Sequence, residues 1–340
     1  MCMSSYEVVR RAIEFDCPDR LPVANPRPAN SPNGVGGDVH TVHPGQIGVG
    51  DKAKRQSRDE WGATWVRSSV HNGGQVKGHP LASWDALGGY DWPSPDDPIL
   101  YAGMESQLSE SAGRYVMVAF HFLFFERLQA LRGTENVLID LLAERQRIAE
   151  LADRVVAYDL AVIRNISQRF PGQIHGFFFT DDWGTQRATF ISPELWRDFF
   201  KPRYARIFQA IHDAGWHVWM HSCGKVNELL DDLIDIDLDV INLDQPLVLG
   251  IEEIGDRFAG RLCFSSLCDI QRTLPRGNAE DIRHEAQLLL EHWATDGGGF
   301  ILTNIGYASE EIGSVDENSR MMIDAFQAVD PWKERAFANG

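Results

Sequence analysis

Basic residues are scarce in this sequence. The 340 residues include 32 Lys and Arg against 49 Asp and Glu, so the formal net charge at pH 7 is -17. Binding to the phosphate backbone of a nucleic acid requires a basic surface, and so does binding to an anionic membrane. The composition therefore argues against both as the main function. It does not exclude small anionic substrates, because a few local residues can bind them.

Long apolar segments and a regular cysteine pattern are also missing. No apolar run reaches the ~18 residues that a membrane span requires. The N-terminal stretch MCMSSYEVVRRAIEF carries charges throughout, which is typical of a short amphipathic helix and not of a signal peptide. The five cysteines, at positions 2, 17, 223, 263 and 268, are an odd and scattered set. This pattern predicts a cytoplasmic protein with reduced thiols, and it leaves Cys223 free to bind a metal.

One segment, HVWMHSCG at residues 217–224, combines a buried strand with metal-binding residue types. A short apolar run, residues 218–220, is bounded by glycines and suits a strand that is enclosed on both faces. His221 and Cys223 are two residues apart, so an extended chain places both side chains on the same face. An imidazole and a thiol form half of a tetrahedral zinc site. The alternative is a core cysteine beside a hydrogen-bonded histidine at a sharp turn.

Short apolar strands alternate with helices along much of the chain. From residue 174 onward each strand is followed by a polar exit and a helix, which is typical of parallel β/α units. We identify seven strands, near residues 21, 115, 174, 218, 240, 262 and 300, and the eighth is not evident. A doubly wound open sheet would show a glycine-rich phosphate turn after an early strand, and none is present. The sequence therefore predicts a single (β/α)8 TIM-type barrel.

The region before residue 81 is expected to contain a long loop and a hairpin. Residues 26–58 are rich in Gly, Pro, Asn and His and have no clear period, so we predict a functional or mobile loop there. Its His40 and His43 are interpreted as polar loop residues. Residues 59–70 and 73–81 predict a strand and its hairpin partner. Helices are predicted near residues 134–169, 192–213, 279–294 and 315–328.

Polar side chains follow the predicted barrel strands at one recurring position. In a (β/α)8 barrel the carboxyl ends of the strands converge on one pocket. Packing alone does not explain polar residues at each of these ends, so we predict that they form a functional site. They are His121, Asp181, Asp182, His221, Cys223, Asp244, Gln245, Cys268, Asp269, Asn304 and Tyr307.

Residues 181–246, from DDWGTQ to NLDQP, resemble the uroporphyrinogen decarboxylase superfamily. The resemblance extends to DRLPV, DEWGATW, CDIQRTLPRGNAEDIRHE and GGGFILTNIG, and so covers most of the chain. It is closest to the branch of corrinoid-linked methyltransferases that includes methylcobalamin:coenzyme M methyltransferase. The resemblance implies one barrel domain over residues 1–340, in which residues 1–60 supply an N-terminal helix and the long loop.

The two branches of the superfamily differ in the groups that bind substrate. The decarboxylases carry an N-terminal motif of the type Arg-Gln-Ala-Gly-Arg-Tyr, which binds the carboxylates of a tetrapyrrole. That motif is absent here, since residues 20–50 contain only Arg20 and Arg27. The strand ends are mostly acidic and would repel such a substrate. We therefore keep tetrapyrrole decarboxylation as the alternative function and favour the methyltransferase branch.

The methyltransferase branch binds zinc through His-x-Cys and a later Cys in a Gly-Cys step after the last strand. His221 and Cys223 match the first two ligands, but the matching step here is Gly306-Tyr307, and a tyrosine is a poor zinc ligand. A substitute ligand from a neighbouring strand end is expected, with Cys268 or Asp182 as the candidates. If zinc is absent, Tyr307 is a candidate proton donor, and the chain is a metal-free or repurposed ligand-binding member of the superfamily.

With zinc in place, the resemblance implies methyl transfer between a small methylated substrate, or a thiol or hydroxyl acceptor, and a corrinoid. The corrinoid is expected on a separate protein, and the long loop is a candidate lid or docking surface. Zinc would lower the pKa of the acceptor. Among the candidate residues, Asp182 would orient a ligand and His121 is an acid/base candidate. Gln245, Trp183 and Asn304 are the substrate-binding candidates.

Overall fold

The computed structural model describes residues 3–24, 37–45, 51, 53–67, 74–303 and 316–333. Its main element is an eight-stranded parallel sheet, whose strands are β1 (Val23–Ala24), β2 (Val39–Val42), β6 (Tyr115–Phe120), β7 (Gly176–Thr180), β8 (His217–His221), β9 (Val240–Leu243), β10 (Cys263–Ser266) and β11 (Phe300–Thr303). The strand order is β1-β11-β10-β9-β8-β7-β6-β2, and the sheet curls into a nearly closed barrel. The predicted (β/α)8 barrel is therefore confirmed.

The barrel closes between β1 and β2 through one aspartate. The backbone N–H of Asp38 donates to the carbonyl oxygen of Val23 at 2.7 Å, and the Asp38 carboxylate accepts from the backbone N–H of Val23 at 3.0 Å. The Arg20 guanidinium neutralises the same carboxylate at 2.7 Å. These bonds replace the strand ladder that two such short strands cannot complete.

Strand β2 is the eighth strand, which the sequence did not reveal. It lies inside the stretch predicted as a loop at residues 26–58. That prediction is wrong for residues 39–42 and also for residues 56–58, which form a second strand. His40 is part of this strand, and its Nε2 lies 2.7 Å from the Gln107 carbonyl oxygen. A four-residue strand with two polar residues in its middle has no periodicity strong enough to recognise.

The predicted hairpin is confirmed as part of a small antiparallel sheet. Its strands are β3 (Gln56–Arg58), β4 (Thr64–Val66) and β5 (Gln75–Gly78), in the order β3-β4-β5. The buried Asp59 follows β3, and Arg127 of a helix on the barrel lies 3.0 Å from it. The small sheet is thereby fixed to the barrel wall.

Helices surround the barrel and close its amino-terminal end. They are α1 (Ser5–Ile13), α2 (Met104–Ser109), α3 (Phe125–Arg132), α4 (Thr134–Ala143), α5 (Arg145–Arg169), α6 (Pro193–Phe199), α7 (Lys201–Asp213), α8 (Leu230–Ile234), α9 (Pro246–Leu249), α10 (Ile251–Phe258), α11 (Thr273–Arg276), α12 (Ala279–Trp293) and α13 (Asp316–Ala328), with 3-10 turns at Trp84–Gly89 and Pro98–Leu100. Among the ranges that the structure describes, no helix has the length and apolar character to cross a bilayer.

Two of the predicted helices are each divided in two. The helix predicted at residues 134–169 breaks at Glu144, and the one predicted at residues 192–213 breaks at Phe200. Pro202 lies in the first turn of α7 and lacks a backbone N–H, which explains why a new helix begins there. Side chains of α1, including Val8 and Val9, pack against Trp219 and other inward residues, so the interior at that end of the barrel is apolar. The polar strand ends lie at the opposite end.

A buried carboxylate joins the segment after β10 to helix α12. Glu285 accepts from the backbone N–H of Asp269 at 2.7 Å and from the hydroxyl of Thr273. Burial raises the pKa of Glu285 from 4.5 to about 7, while these two bonds act in the opposite direction. Because the folded pKa exceeds the unfolded one, the protonated acid stabilises the fold below pH 4.5, and this contribution disappears as the pH rises through 7.

We expect Glu285→Gln to change the pH dependence of stability. From pH 5 to pH 8 the unmodified chain should lose about 2–3 kcal/mol of its free energy of unfolding through ionisation of Glu285, and the variant should not show this loss, since glutamine cannot ionise. Urea unfolding at both pH values measures the difference. Glu291→Gln, at an exposed position of the same helix, is the control. An equal pH dependence of stability in the two variants would contradict the raised pKa of Glu285.

Candidate metal centre

The parallel pairing of β7, β8 and β9 brings residues of the candidate site to the same level. Thr180 pairs with His221, and His221 pairs with Asn242, so the three side chains lie at the same level near the carboxyl ends of the strands. Asp182 lies two residues after Thr180, and Cys223 lies two residues after His221. The register therefore places Asp182 beside Cys223. The backbone N–H of Cys223 donates to Oδ1 of Asp182 at 2.8 Å.

Asp182, His221 and Cys223 together could bind a metal ion. Their ligand atoms all lie within 4.8 Å of one another, and they are the one such group in the part of the chain that the structure describes. Nε2 of His221 is 3.2 Å from Sγ of Cys223 and 3.6 Å from Oδ1 of Asp182. Ligand atoms in a tetrahedral zinc site lie about 3.3–3.8 Å apart, given metal–ligand distances of about 2.0–2.3 Å. The donor types and the two distances from Nε2 of His221 are thus close to those of a zinc site.

Asn242 fixes the orientation of the imidazole. Its Nδ2 donates to the carbonyl oxygen of Ser265 at 2.8 Å, so its Oδ1 must face Nδ1 of His221, which lies 2.8 Å away. In neutral His221 the proton therefore sits on Nδ1, and the lone pair of Nε2 points toward Cys223 and Asp182. Histidine ligands of metals are commonly oriented by such a bond.

We expect Asn242→Ala to weaken zinc binding by about 10- to 100-fold, because the imidazole loses the partner that fixes its tautomer and orientation. Competition with a zinc chelator measures the affinity. Asn227→Ala is the matched control, since Asn227 is a buried asparagine that donates to the Leu249 carbonyl oxygen away from the metal centre. An equal loss in both variants would show that Asn242 acts only through general stability.

Close backbone packing holds the loops after β7 and β8 together. The backbone N–H of Gly184 donates to the Cys223 carbonyl oxygen at 3.1 Å. A Cβ atom on Gly184 would lie 2.6 Å from the Gly224 carbonyl carbon, and Gly224 has a φ of +79°. Glycine is therefore required at both positions. This contact keeps Asp182 beside Cys223.

Acidic neighbours dominate the electrostatics of the centre. Burial lowers the pKa of His221, but the Cys223 sulfur and the carboxylates of Asp244 and Asp182 outweigh it and hold this pKa well above its ordinary value. Burial raises the pKa of Cys223, against the attraction of His221, and it also raises the pKa of Asp244. An excess of acidic groups around one imidazole is a charge pattern that a divalent cation compensates.

Asp181, which precedes the candidate ligand Asp182, has a structural role. Its carboxylate accepts from the backbone N–H groups of Phe124 and Glu126 at 3.0 and 2.7 Å and from the Tyr204 hydroxyl at 2.7 Å. These bonds tie the start of α3 to the end of β7. Burial raises the pKa of Asp181 to about 6, and the same hydrogen bonds limit the shift.

The structure places two of the predicted site residues away from the group of three candidate ligands. Cys268 was a candidate zinc ligand, but it follows β10, two strands away from β8, which corresponds to about 10 Å. Its buried Sγ lies 3.6 Å from the Ile282 carbonyl oxygen. Trp183 was a candidate for substrate binding, but it is fully buried, stacks on Phe125 at 3.9 Å and therefore belongs to the aromatic core.

The other candidates lie near the centre or outside the described residues. Gln245 accepts from the backbone N–H of Gly224 at 3.1 Å, which places it one residue from Cys223. The ring of His121 stacks on that of His43, with 6.4 Å between centroids, and His121 is not part of the group of three ligands. Asn304 and Tyr307 fall outside the residues that the structure describes, so their predicted roles stay predictions.

Sequence reasoning missed two residues of the centre. Asn242 is a polar residue inside the apolar strand VINL, and such a buried polar side chain is a usable signal. Glu126 is buried at the start of α3 and accepts from the Thr180 hydroxyl at 2.8 Å. Burial, followed by the charges of Asp182 and Asp181, holds the pKa of Glu126 well above its ordinary value. No local pattern in FERLQALR indicates this position.

The fold and the centre define a (β/α)8 barrel protein with a three-ligand candidate metal site at the carboxyl ends of its strands. The chain belongs to the uroporphyrinogen decarboxylase (URO-D) family, whose model matches residues 108–326. This confirms the family expected from the sequence. A search of curated proteins gives no match.

Two solved structures illustrate the structural similarity. A methyltransferase from Methanosarcina mazei is 14% identical in sequence, and the match covers 96% of this chain and 99% of that chain with a TM-score of 0.71. An endo-beta-1,4-xylanase from Gloeophyllum trabeum is 12% identical over 66% of this chain and 80% of that chain, with a TM-score of 0.41. The first similarity shows a shared fold over nearly the whole chain.

Proposed function

We propose that this protein is a zinc-dependent methyltransferase that exchanges a methyl group between a small substrate and a corrinoid on a separate protein. The observation that carries the proposal is the convergence of Asp182, His221 and Cys223 within 4.8 Å at the carboxyl ends of β7 and β8. Active sites of (β/α)8 barrels lie at this end. A methyltransferase that shares the fold over 96% of this chain also supports it.

Zinc would be held by Nε2 of His221, Sγ of Cys223 and a carboxylate oxygen of Asp182. Bound there, zinc would lower the pKa of a thiol or hydroxyl acceptor and so make a nucleophile available near neutral pH. Asp182 has a second task, since its Oδ1 accepts from the Cys223 backbone and fixes the loop. With Asp182 in place of the missing cysteine at Gly306-Tyr307, the set has one nitrogen, one sulfur and one oxygen donor.

The reaction is a transfer of a methyl cation. A methyl-corrinoid would supply the methyl group: a sulfur–carbon or oxygen–carbon bond to the deprotonated acceptor would form, and the electron pair of the broken cobalt–carbon bond would stay with the corrinoid. Demethylation of a methylated substrate is the reverse reaction. Gln245, beside Gly224, would contact the substrate, and we keep His121, Asn304 and Tyr307 as candidates for substrate or proton contacts.

The test combines metal analysis with a methyl-transfer assay. Protein purified with zinc supplied should contain about one zinc ion per chain, because the centre offers a single set of ligands. It should also consume free methylcobalamin in the presence of small thiols, which absorbance measures. Zinc-free protein with no transfer would overturn the proposal and would favour a metal-free ligand-binding protein.

The same preparation tests the decarboxylase alternative. We expect no turnover of uroporphyrinogen, because the arginine motif for tetrapyrrole carboxylates is absent and the described strand ends are acidic. Product analysis by chromatography measures it. Decarboxylation at a rate above that of the zinc-loaded methyl-transfer reaction would replace methyl transfer as the function.

A further inference from the structure

A groove separate from the three metal ligands lies between α9, α11 and α12. Its volume is about 480 Å³. Three of its lining residues are basic, namely Arg272, Arg276 and His284, and all three are exposed. The other lining residues are Leu247, Thr273, Gly277, Asp281, Glu285 and Leu288.

The two arginines lie one helical turn apart, and neither has a counter-ion among the residues that the structure describes. The backbone N–H of Arg276 donates to the Arg272 carbonyl oxygen at 3.0 Å, so both side chains project from the same side of one turn. Within the described residues neither guanidinium makes an ion pair, in contrast to Arg257 and Arg261, which pair with Asp231 at 3.1 and 2.9 Å. Two like charges therefore lie next to each other in a chain whose formal net charge is -17.

Both acidic residues that line the groove accept hydrogen bonds from neighbouring parts of the protein. Asp281 accepts from the backbone N–H of Asn278 at 2.9 Å, as part of the capping box that begins α12. Glu285 is buried and accepts from the Asp269 backbone and the Thr273 hydroxyl. The Asp281 carboxylate still lies in the groove, so the basic side chains outnumber the exposed acidic ones by three to one.

The groove lies at a position that barrels often use for phosphate. In chain order β10 is the seventh strand of the barrel, and Arg272 belongs to the segment that follows it. Phosphate sites of (β/α)8 barrels are frequently built from the loops after strands seven and eight. One lining residue, Leu247, follows Gln245 by two residues, and Gln245 accepts from the backbone N–H of Gly224, but none of the three candidate metal ligands lines the groove.

We propose that this groove binds the phosphoryl group of a small-molecule ligand through Arg272 and Arg276. Planar guanidinium groups bind tetrahedral oxyanions through paired, charge-assisted hydrogen bonds. His284 contributes a third donor from α12. The inference goes beyond the proposed methyl transfer and does not depend on it, since it concerns anion binding by the chain with or without metal.

Calorimetric titration with pyrophosphate at constant ionic strength tests the inference. The unmodified chain should bind one pyrophosphate saturably, and the double variant Arg272→Gln/Arg276→Gln should lose about 10- to 100-fold in affinity, because charge-assisted hydrogen bonds are removed. Arg283→Gln is the matched control. It removes the same charge from an exposed position of α12 that does not line the groove, and its affinity should stay within about twofold.

A variant of the metal centre distinguishes this inference from the methyl-transfer proposal. Cys223→Ala should bind pyrophosphate as the unmodified chain does, so a failure of the methyl-transfer proposal leaves this result unchanged. Absence of saturable binding to the unmodified chain, or equal losses in Arg283→Gln and the double variant, would overturn the inference. Far-ultraviolet circular dichroism confirms folding of each variant, which we expect because both arginines are exposed and unpaired in the described structure.

Discussion

Replacing Cys223 by alanine is expected to abolish zinc binding and, with it, methyl transfer. Loss of a residue that merely orients a metal ligand already costs about 10- to 100-fold in metal affinity, so loss of the only sulfur donor in the group should cost more than about 100-fold. Elemental analysis of the purified variant and the methylcobalamin assay measure both effects. The fold should survive, because Cys223 is only half-buried and follows the end of β8.

Two further variants, Cys268→Ala and Asp182→Ala, test which residue is the third zinc ligand. Cys268→Ala should retain zinc, because its Sγ faces the Ile282 carbonyl oxygen away from the centre, whereas Asp182→Ala should lose most of its zinc. Retention of zinc by Asp182→Ala together with loss from Cys268→Ala would make Cys268, the other candidate from the sequence, the third ligand. Full zinc content in Cys223→Ala would refute the centre altogether.

Much of the site could be predicted because it follows from strand periodicity. The run HVWMHSC contains a buried strand and places His221 and Cys223 on one face, as the structure shows. The third candidate ligand could have been found in the same way. Consecutive parallel β/α strands of a barrel are neighbours, so a residue two positions beyond the end of β7 must lie beside one two positions beyond the end of β8. That reasoning selects Asp182 over Cys268.

Other features depend on contacts that no local pattern encodes. Strand β2 has four residues and is stabilised by pairing with β6 and by Asp38, which bridges to β1. The position of Glu126 beside Asp182 results from the path of the chain between β6 and α3, which Asp181 fixes through backbone hydrogen bonds. Such long-range constraints override weak local preferences, and sequence periodicity does not report them.

We expect the largest loss of stability when the buried ion pair between Asp59 and Arg127 is broken. The side chains are 0% and 2% exposed, and the carboxylate also accepts from Nε1 of Trp65 at 3.0 Å and the Ala63 backbone at 2.8 Å. Asp59→Ala should lower the free energy of unfolding by about 3–5 kcal/mol, because it leaves a buried guanidinium without its partner.

Urea unfolding of Asp59→Ala and of a surface control measures this difference. Asp231→Ala removes a half-exposed carboxylate that pairs with Arg257 and Arg261, and exposed pairs contribute at most about 1 kcal/mol. The buried variant should therefore be several-fold more destabilised than the control. Because Asp59 joins the small antiparallel sheet to α3, and α3 carries Glu126, the same variant should also weaken zinc binding at the barrel mouth. Equal stabilities for the two variants would mean that the small sheet is held to the barrel by other contacts.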